Sequence, residues 1–337
     1  MLQPKISLTV GSKLYDRHAL AFRLRRTQLP ALDRLEVSLP AAVQFDAGPG
    51  EDCSLEIDGG DGAAVVFTGR ISEVRRSAQS LDLTAHNGGL RLARFRPAGA
   101  FEKLTIGEVI ENLCGEAGVS VGNVVSGPTL ALRVTDGRAT AAEEIAALAL
   151  DAGAAGAFSG EDELYVTEEG GPAGEMALRY GRELLAIETG QVVDEYPRIT
   201  VVGEGGGAPA SAEGRWVIQT FLSGGPAPGF SDRVIARPEI RTTDDASAAA
   251  AALTHRRTSA LTPVKLKLWL NPKIEPGMRL ELADMPASLP LGECRVRQLV
   301  STYVPNGAMT TEVWASGNTG GPADLLGELA GAIGGLL

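Results

Sequence analysis

Histidine is the first residue type to consider for chemistry, because its unperturbed pKa lies near neutrality. The chain has three histidines, and His86 lies in the sequence AHNGG at the end of an alternating stretch. Asn and Gly favour a turn or bulge at such a strand end. No Ser, Cys or acid stands near His86 in a recognisable nucleophile arrangement, so we interpret it as a structural residue at a corner where a strand turns. His18 and His255 lie among arginines, which indicates solvated or interface positions rather than metal ligands.

Adjacent carboxylates could perform acid–base chemistry, as in the pairs at 143–144, 168–169 and 244–245. Neighbouring side chains point in different directions on helices and strands, and each pair lies at a predicted helix start or in a linker, where charge is expected. A carbohydrate- or peptidoglycan-active enzyme stays the alternative hypothesis, and it predicts a cleft with two carboxylates about 5 to 9.5 Å apart. A ligand-binding β module is a third, and it predicts an apolar cavity inside a barrel.

Glycine-rich segments could cradle a phosphate, and residues 203–214 read GEGGGAPASAEG after a predicted strand. A P-loop also needs a Lys-Ser/Thr pair and a helix that follows at once, and both are missing. We therefore interpret this segment, and SGGPAPGFSD at 223–232, as long loops. The three cysteines, Cys53, Cys114 and Cys294, are too far apart for the paired spacing of a zinc site and odd in number, so we expect reduced thiols. No catalytic residue, metal or cofactor is predicted.

The charge of the chain argues against specific binding of nucleic acid. Lys and Arg number 31 against 42 Asp and Glu, which gives a net charge of −11, whereas phosphate binding needs basic residues. The N-terminus lacks the pattern of a secretory signal, and no run approaches the roughly 18 apolar residues of a membrane span. We expect no membrane span and synthesis in the cytoplasm.

Residues 1–98 show the period-two pattern of strands that bury one face, separated by turn signals such as DGGDG. They predict an antiparallel sheet that closes into a barrel or packs on another layer. Residues 99–176 predict a small α+β insert, because capping boxes open two helices at Thr105/Glu108 and Thr140/Glu143. Each helix is expected to end at a glycine, Gly118 or Gly153.

Residues 177–318 again show strand patterns, most clearly in VKLKLWL at 264–270. A helix at 243–259 interrupts them, with acids in its first turn and basic residues in its last. Its alanine-rich body suits close packing on a sheet or on a neighbouring subunit. The predicted fold class is therefore mainly β with an α+β insert, comprising two tube-like antiparallel β-barrel domains of similar character and a small α+β domain.

The last segment, residues 319–337, is apolar and glycine-rich but too short to span a membrane. Four apolar residues fall at helical spacing, namely Leu325, Leu329, Ile333 and Leu336. Such a tail would be marginally helical alone, so we expect it to dock on a partner or on other copies of the chain.

Several segments in series resemble the baseplate hub family of contractile phage tails, also called late control protein D. The matching segments are DGGDGAAVVFTGRISEVRR, LDLTAHNGGLRLARFRP, FEKLTIGEVIENLCGEAGV, PGMRLELADMP and CRVRQLVSTYVPNGAMTTEVWASG. They imply a resemblance over about residues 1–317, carried by the ordered series rather than by any single motif. The N-terminal part of type VI secretion spike proteins is similar in plan.

The resemblance implies a non-enzymatic structural protein with two tube-like β-barrel domains in each chain. Three chains would form a homotrimeric ring that presents six such domains and adapts a sixfold tail tube to a threefold spike. The implied partners are the tail tube protein, a separate spike protein, and possible tape-measure and baseplate wedge proteins, and DNA would pass through the channel without specific binding. The implied location is the virion tail baseplate or a phage-derived particle, assembled in the host cytoplasm.

Overall fold

The computed structural model describes residues 4–16, 20–59, 62–172, 174–192, 198–204, 216–222, 233–287, 289, 291–307 and 309–317. The protein is mainly β, with 51% of these described residues in strands and 17% in helices, which confirms the predicted class. Among the helices in these ranges, none is long and apolar enough to cross a membrane.

The described residues before position 87 form seven strands, which we call the first repeat: β1 (Lys5–Val10), β2 (Lys13–Tyr15), β3 (Ala21–Thr27), β4 (Arg34–Pro40), β5 (Asp52–Asp58), β6 (Ala63–Arg76) and β7 (Ser80–His86). All neighbours are antiparallel, in the order β3-β4-β7-β6-β5-β1-β2. Alternate residues point into one core, as Leu35, Val37 and Leu39 do on β4. The period-two pattern therefore predicted β1, β4, β5 and β7 correctly.

The next segment, which we call the insert, mixes helices and short strands: α1 (Gly89–Arg94), β8 (Ala98–Thr105), α2 (Ile106–Ala117), β9 (Ser120–Val124), β10 (Thr129–Asp136), α3 (Ala141–Asp151), β11 (Ala155–Phe158) and β12 (Glu163–Thr167). Both predicted capping boxes are present, at Thr105 with Glu108 and at Thr140 with Glu143. Gly118 ends α2 in the left-handed conformation, as expected. The short helix α1 was not predicted.

The remaining elements are β13 (Glu175–Arg179), β14 (Leu184–Thr189), β15 (Arg198–Glu204), β16 (Trp216–Leu222), β17 (Arg233–Arg237), α4 (Thr243–Ala260), β18 (Pro263–Trp269), β19 (Arg279–Ala283), β20 (Glu293–Tyr303) and β21 (Met309–Gly317). Strands β13, β14 and β18 to β21 enclose a core of their own, and we call them the second repeat. Strand β20 also pairs with β3, so the two repeats share one sheet, to which the described residues contribute 13 strands.

The helix predicted at 243–259 is α4, and its surroundings differ from those expected for the second barrel domain. Strands β15, β16 and β17 form a separate three-stranded sheet, and α4 packs on it. The small face of α4 allows this close approach, since Ala246, Ala249 and Ala250 are fully buried against β15. We call these four elements the α4 unit.

The predicted domain boundaries fall close to the changes of core, though not on them. The boundary at residue 98 follows α1, whose Leu92 packs in the core of the insert. The boundary at residue 176 lies inside β13, which pairs with β19 of the second repeat.

The two repeats match each other in strand order. The order β3-β4-β7-β6-β5-β1 of the first repeat corresponds to β14-β18-β21-β20-β19-β13 of the second. One difference lies at the edge, where β1 is antiparallel to β5 and β13 is parallel to β19.

The match extends to single residues at a β-bulge. The ladder between β6 and β7 shifts between Ile71 and Glu73, and the ladder between β20 and β21 shifts between Val296 and Gln298, so one extra residue is inserted at the same place. Gly50 donates its N–H to the Ile71 carbonyl oxygen at 2.8 Å, and Gly277 donates to that of Val296 at 2.9 Å. Both glycines have positive φ, +97° and +92°. The repeats therefore share a register as well as an order.

Candidate assembly surface

The shared sheet exposes one continuous polar surface, because its strands alternate between core and solvent residues. The surface crosses both repeats along β14, β18, β21, β20, β3, β4, β7 and β6. One row of directly paired residues follows it over seven strands: Trp269, Thr310, Thr302, Arg23, Glu36, Thr84 and Glu73. We call this surface the charged face.

Charges of both signs alternate on the charged face. Away from the bulges, its basic residues are Arg23, Arg25, Arg34, Arg75, Lys265 and Lys267, and its acidic residues are Glu36, Glu73, Asp82, Glu188 and Glu312. These six positive and five negative side chains give this part of the face a net charge of +1, whereas the chain as a whole carries −11. The acidic excess that the composition predicted therefore lies on other surfaces.

Contacts between neighbouring side chains order this surface. Arg75 binds both carboxylate oxygens of Glu73, at 2.6 and 3.0 Å. Arg25 donates to Gln298 Oε1 at 3.1 Å and so links the two repeats across their shared sheet. Exposed pairs of this kind each add little stability, so they fix the positions of charges more than they hold the fold together.

A buried polar cluster joins the first repeat, the insert and the second repeat behind the charged face. Arg26 lies on β3 with only 1% of its surface exposed. Its guanidinium donates to Glu275 Oε1 at 3.0 and 3.1 Å and to the Phe158 carbonyl oxygen at 2.8 Å. Glu275 in turn accepts the Gly160 N–H at 3.2 Å. One arginine thus binds groups from all three parts of the chain.

Sequence reasoning missed this cluster, although a signal for it was present. In the sequence AFRLRRT of β3, Phe22 and Leu24 point into the core and are buried. Arg26 continues that inward series, and a charged residue at a core position is almost never buried without a partner.

Asp33 completes the cluster, and burial raises the pKa of its carboxyl group to about 7, while Arg26 and the Thr27 N–H oppose that shift. Its Oδ1 accepts the Thr27 N–H at 2.7 Å, and its Oδ2 accepts from Asn87 Nδ2 at 3.0 Å. The Asp33 backbone carbonyl oxygen lies 2.8 Å from His86 Nδ1. Because a carbonyl only accepts, His86 donates its Nδ1 proton there.

His86 therefore has a structural partner in the Asp33 carbonyl oxygen. It is the last residue of β7, and the chain then enters α1 through Asn87, whose Oδ1 accepts the Gly89 N–H at 3.0 Å. The corner leads from a strand into a helix rather than into another strand.

At least one acid in each of the three pairs at 143–144, 168–169 and 244–245 has a structural partner. Glu143 caps α3, while Glu144 pairs with Arg133 at 2.6 Å. Asp245 accepts a hydrogen bond from the Thr242 hydroxyl at 2.6 Å at the start of α4, and Glu169 lies 3.9 Å from Arg295. These contacts place the acids at helix starts and at a repeat boundary.

All three cysteines are free and buried, and burial raises the pKa of each thiol to about 12. They are therefore protonated at neutral pH and unsuited to nucleophilic chemistry. Within the described ranges, no group of three or more His, Cys, Asp or Glu residues could hold a metal ion.

Some predicted features lie outside the described residues. They are His18, most of the glycine-rich segment at 203–214, the segment at 223–232, and the tail residues Leu325, Leu329, Ile333 and Leu336.

Two clefts open beside the bulges, one in each repeat. The first has a volume of about 640 Å³ and is lined by Asp52, Arg70, Ser72 and His86 among others. The second has a volume of about 560 Å³ and is lined by Arg279, Arg295, Arg297 and Ser316 among others. The pairing of β5, β6 and β7 and that of β19, β20 and β21 place these four residues at matching positions.

Comparison with known proteins gives a result at the level of structure. No family model and no curated protein matches the sequence. Among solved structures, the 43 kDa tail protein of prophage MuSo2 from Shewanella oneidensis has a TM-score of 0.69 at 14% identity, over 93% of this chain and 98% of that one. The tail protein from Neisseria meningitidis MC58 has a TM-score of 0.70 at 13% identity, over 94% and 97%.

The fold is that of phage tail proteins. A component of the type VI secretion system from E. coli, which shows structural similarity to the T4 bacteriophage tail proteins gp27 and gp5, matches as well. Its TM-score is 0.60 at 13% identity, over 95% of this chain and 78% of that one. The phage tail fold extends over nearly the whole chain, so it includes both repeats, the insert and the α4 unit.

Proposed function

We propose that the chain is a structural, non-enzymatic hub of a phage tail or a phage-derived injection particle. Three copies form a ring whose six repeats match a sixfold tail tube on one side, while the ring itself matches a threefold spike on the other. The partners are the tail tube protein and a separate spike protein, with tape-measure and baseplate wedge proteins as further candidates. The site of action is the tail baseplate, after assembly in the host cytoplasm.

The observation that carries this proposal is the shared register of the two repeats. A ring of three identical chains can present six equivalent surfaces only if each chain contains two copies of one surface. Strand order, the bulge and the positive-φ glycine recur in both repeats, so each repeat can offer a neighbour the same backbone geometry. The fold of the similar tail proteins is consistent with this role.

We assign the charged face to the wall of the central channel. It is the surface that both repeats build together, through the pairing of β3 with β20. Its nearly balanced charges would neither trap nor strongly repel a polyanion that passes through. The apolar tail, through Leu325, Leu329, Ile333 and Leu336, is proposed to dock on a partner or on other copies, and deletion of residues 321–337 should then weaken assembly.

Electron cryomicroscopy of the purified chain, alone and with its tube and spike proteins, tests the ring. With no symmetry imposed, we expect views along the axis to show three copies and six similar lobes around an opening. Native mass spectrometry should give three times the mass of the chain. A stable monomer under assembly conditions, or a ring with another copy number, contradicts the proposal.

A further inference from the structure

The cleft of the second repeat contains an unusual group of arginines. Arg256 from α4 and Arg279, Arg295 and Arg297 from the second repeat line it, and we call it the arginine cleft. Alanines at the ends of α3 and β11 and along α4 form another part of its wall and leave open space: Ala152, Ala154, Ala155, Ala248, Ala251 and Ala252.

In the first repeat, the corresponding positions hold an ion pair. Arg70 there pairs across the strands with Asp52, Nε to Oδ1 at 3.0 Å. In the second repeat, Arg295 corresponds to Arg70, but the position that corresponds to Asp52 is Arg279. The extra residue of the bulge is Ser72 in the first repeat and Arg297 in the second. Two substitutions within one repeated frame have therefore added two arginines to the second cleft.

Among the described residues, acids pair unevenly with these arginines. Arg279 forms ion pairs with three acids at 3.1 to 3.3 Å, namely Glu175, Glu281 and Glu293. Within the described part of the chain, the one acid near Arg295 is Glu169, at 3.9 Å, and the buried Nη1 of Arg295 has no hydrogen-bond partner there.

The hydrogen bonds of Arg297 and Arg256 to other described residues go to neutral oxygens. Arg297 donates to Ser316 Oγ at 2.7 Å and to Gln28 Oε1 at 3.4 Å, and Arg256 donates to the Ala154 carbonyl oxygen at 3.4 Å. Burial and the like charges of Arg256 and Arg295 lower the pKa of Arg297 to about 10. Since buried charges are normally paired, this arrangement is costly unless an anion is bound.

We propose that the arginine cleft binds a carboxylate, supplied by an acidic side chain in a peptide segment of a partner protein. Arg295 and Arg297 provide planar guanidinium groups that suit a carboxylate, and the alanine wall leaves room for the backbone that carries it. The cleft is also lined by Glu168, Glu169 and Glu293. Together with the net charge of −11, these acids would repel a polyphosphate chain while tolerating a single anion. The inference concerns one cleft of one chain and does not depend on the proposed ring.

Calorimetric titration with a short blocked peptide, one glutamate between alanines, tests the proposal. We expect binding to the full chain, and no binding of the matching glutamine peptide. Arg297→Ser restores the residue type of the first repeat and should weaken binding about tenfold, since a charged hydrogen bond is lost. Arg256→Gln, which keeps most of the side chain, should weaken it too and serves if the first variant does not fold.

The repeat supplies the control, because Arg70→Ser removes the arginine of the first cleft that corresponds to Arg295 and should leave the affinity unchanged. Absence of binding by the glutamate peptide overturns the proposal, as does binding that both Arg297→Ser and Arg256→Gln leave intact. Inorganic phosphate is titrated in parallel. If phosphate binds more tightly than the glutamate peptide, the site is a phosphate site and the assignment to a carboxylate is wrong.

Discussion

At the scale of single residues, Arg26 connects three parts of the molecule through Glu275 and the Phe158 carbonyl oxygen. We expect Arg26→Met to lower the free energy of unfolding by about 3 kcal/mol, because it leaves a partly buried carboxylate without its cation. Urea denaturation measures this loss. The matched control is Arg25→Met, one residue earlier on the exposed side of the same strand, with an expected loss of about 0.5 kcal/mol. Similar losses in the two variants would show that the cluster does not hold the parts together.

Asp33 gives the protein a dependence of stability on pH. Its carboxyl pKa rises from 3.8 to about 7 in the folded protein, so between these values the folded state keeps a proton that the unfolded state releases. The free energy of unfolding should therefore fall as pH rises from about 4 to 7, by on the order of 4 kcal/mol from this residue. Below that range the contribution is complete, and above it the contribution is lost.

Asp33→Asn tests this linkage, because an asparagine does not titrate and still offers an oxygen to the Thr27 N–H. Urea denaturation at pH 5 and pH 8 should show a smaller difference in the variant than in the unmodified protein. The exposed Asp136→Asn controls for the loss of one negative charge elsewhere and should keep the original difference. If Asp33→Asn also keeps it, the buried carboxyl group is not the source of the dependence.

At the scale of elements, the two positive-φ glycines beside the bulges make a matched pair. A Cβ on Gly277 would lie 2.7 Å from the Gly171 nitrogen and 2.8 Å from the Gly170 carbonyl carbon, whereas a Cβ on Gly50 meets no atom within 4 Å. Gly50→Ala should cost about 1 kcal/mol, from backbone strain alone. Gly277→Ala should cost about 2 kcal/mol more, since backbone atoms must move. Thermal and urea unfolding measure the stability of both variants. Equal losses would mean that Gly170 and Gly171 do not pack closely against Gly277.

Sequence patterns predicted local elements correctly but not the packing of distant ones. Alternation in VKLKLWL and the capping boxes at Thr105 and Thr140 depend on neighbouring residues, and they predicted a strand and two helix starts correctly. The α4 unit was assigned to the second barrel because its strands look like any others in isolation. Its separate core depends on which strands pair, and pairing is decided by contacts between distant parts of the chain.

The charged face likewise could be predicted only in part from local sequence. Which side chains alternate with the core could be predicted for each strand, but the row that crosses both repeats exists only because β3 pairs with β20. No local signal in either strand specifies that partner. The arginine cleft was missed for a related reason, since Arg256 and Arg297 come together only when α4 packs beside the second repeat.

At the scale of the whole molecule, the shared sheet should make the two repeats unfold as one unit. Six residue pairs join β3 to β20, from Phe22 with Tyr303 to Thr27 with Gln298, and the rings of Phe22 and Tyr303 stack at 5.9 Å. A hinge between the repeats would break this ladder. A ring that presents equivalent surfaces needs such rigidity, because repeats that moved independently would not keep a common register.

Native-state hydrogen exchange at increasing denaturant, read by mass spectrometry, tests this coupling. We expect amides of β4 and β18, one from each repeat, to lose protection at the same denaturant concentration, together with β3 and β20. The α4 unit should open at a lower concentration, since it has a separate core and an ion pair between Arg237 and Asp151, at 2.7 Å, is among its few polar links to the insert. Separate transitions for β4 and β18 would mean that the two repeats unfold independently and are joined only at an edge. In a ring, partner proteins would then be needed to align the six matched surfaces.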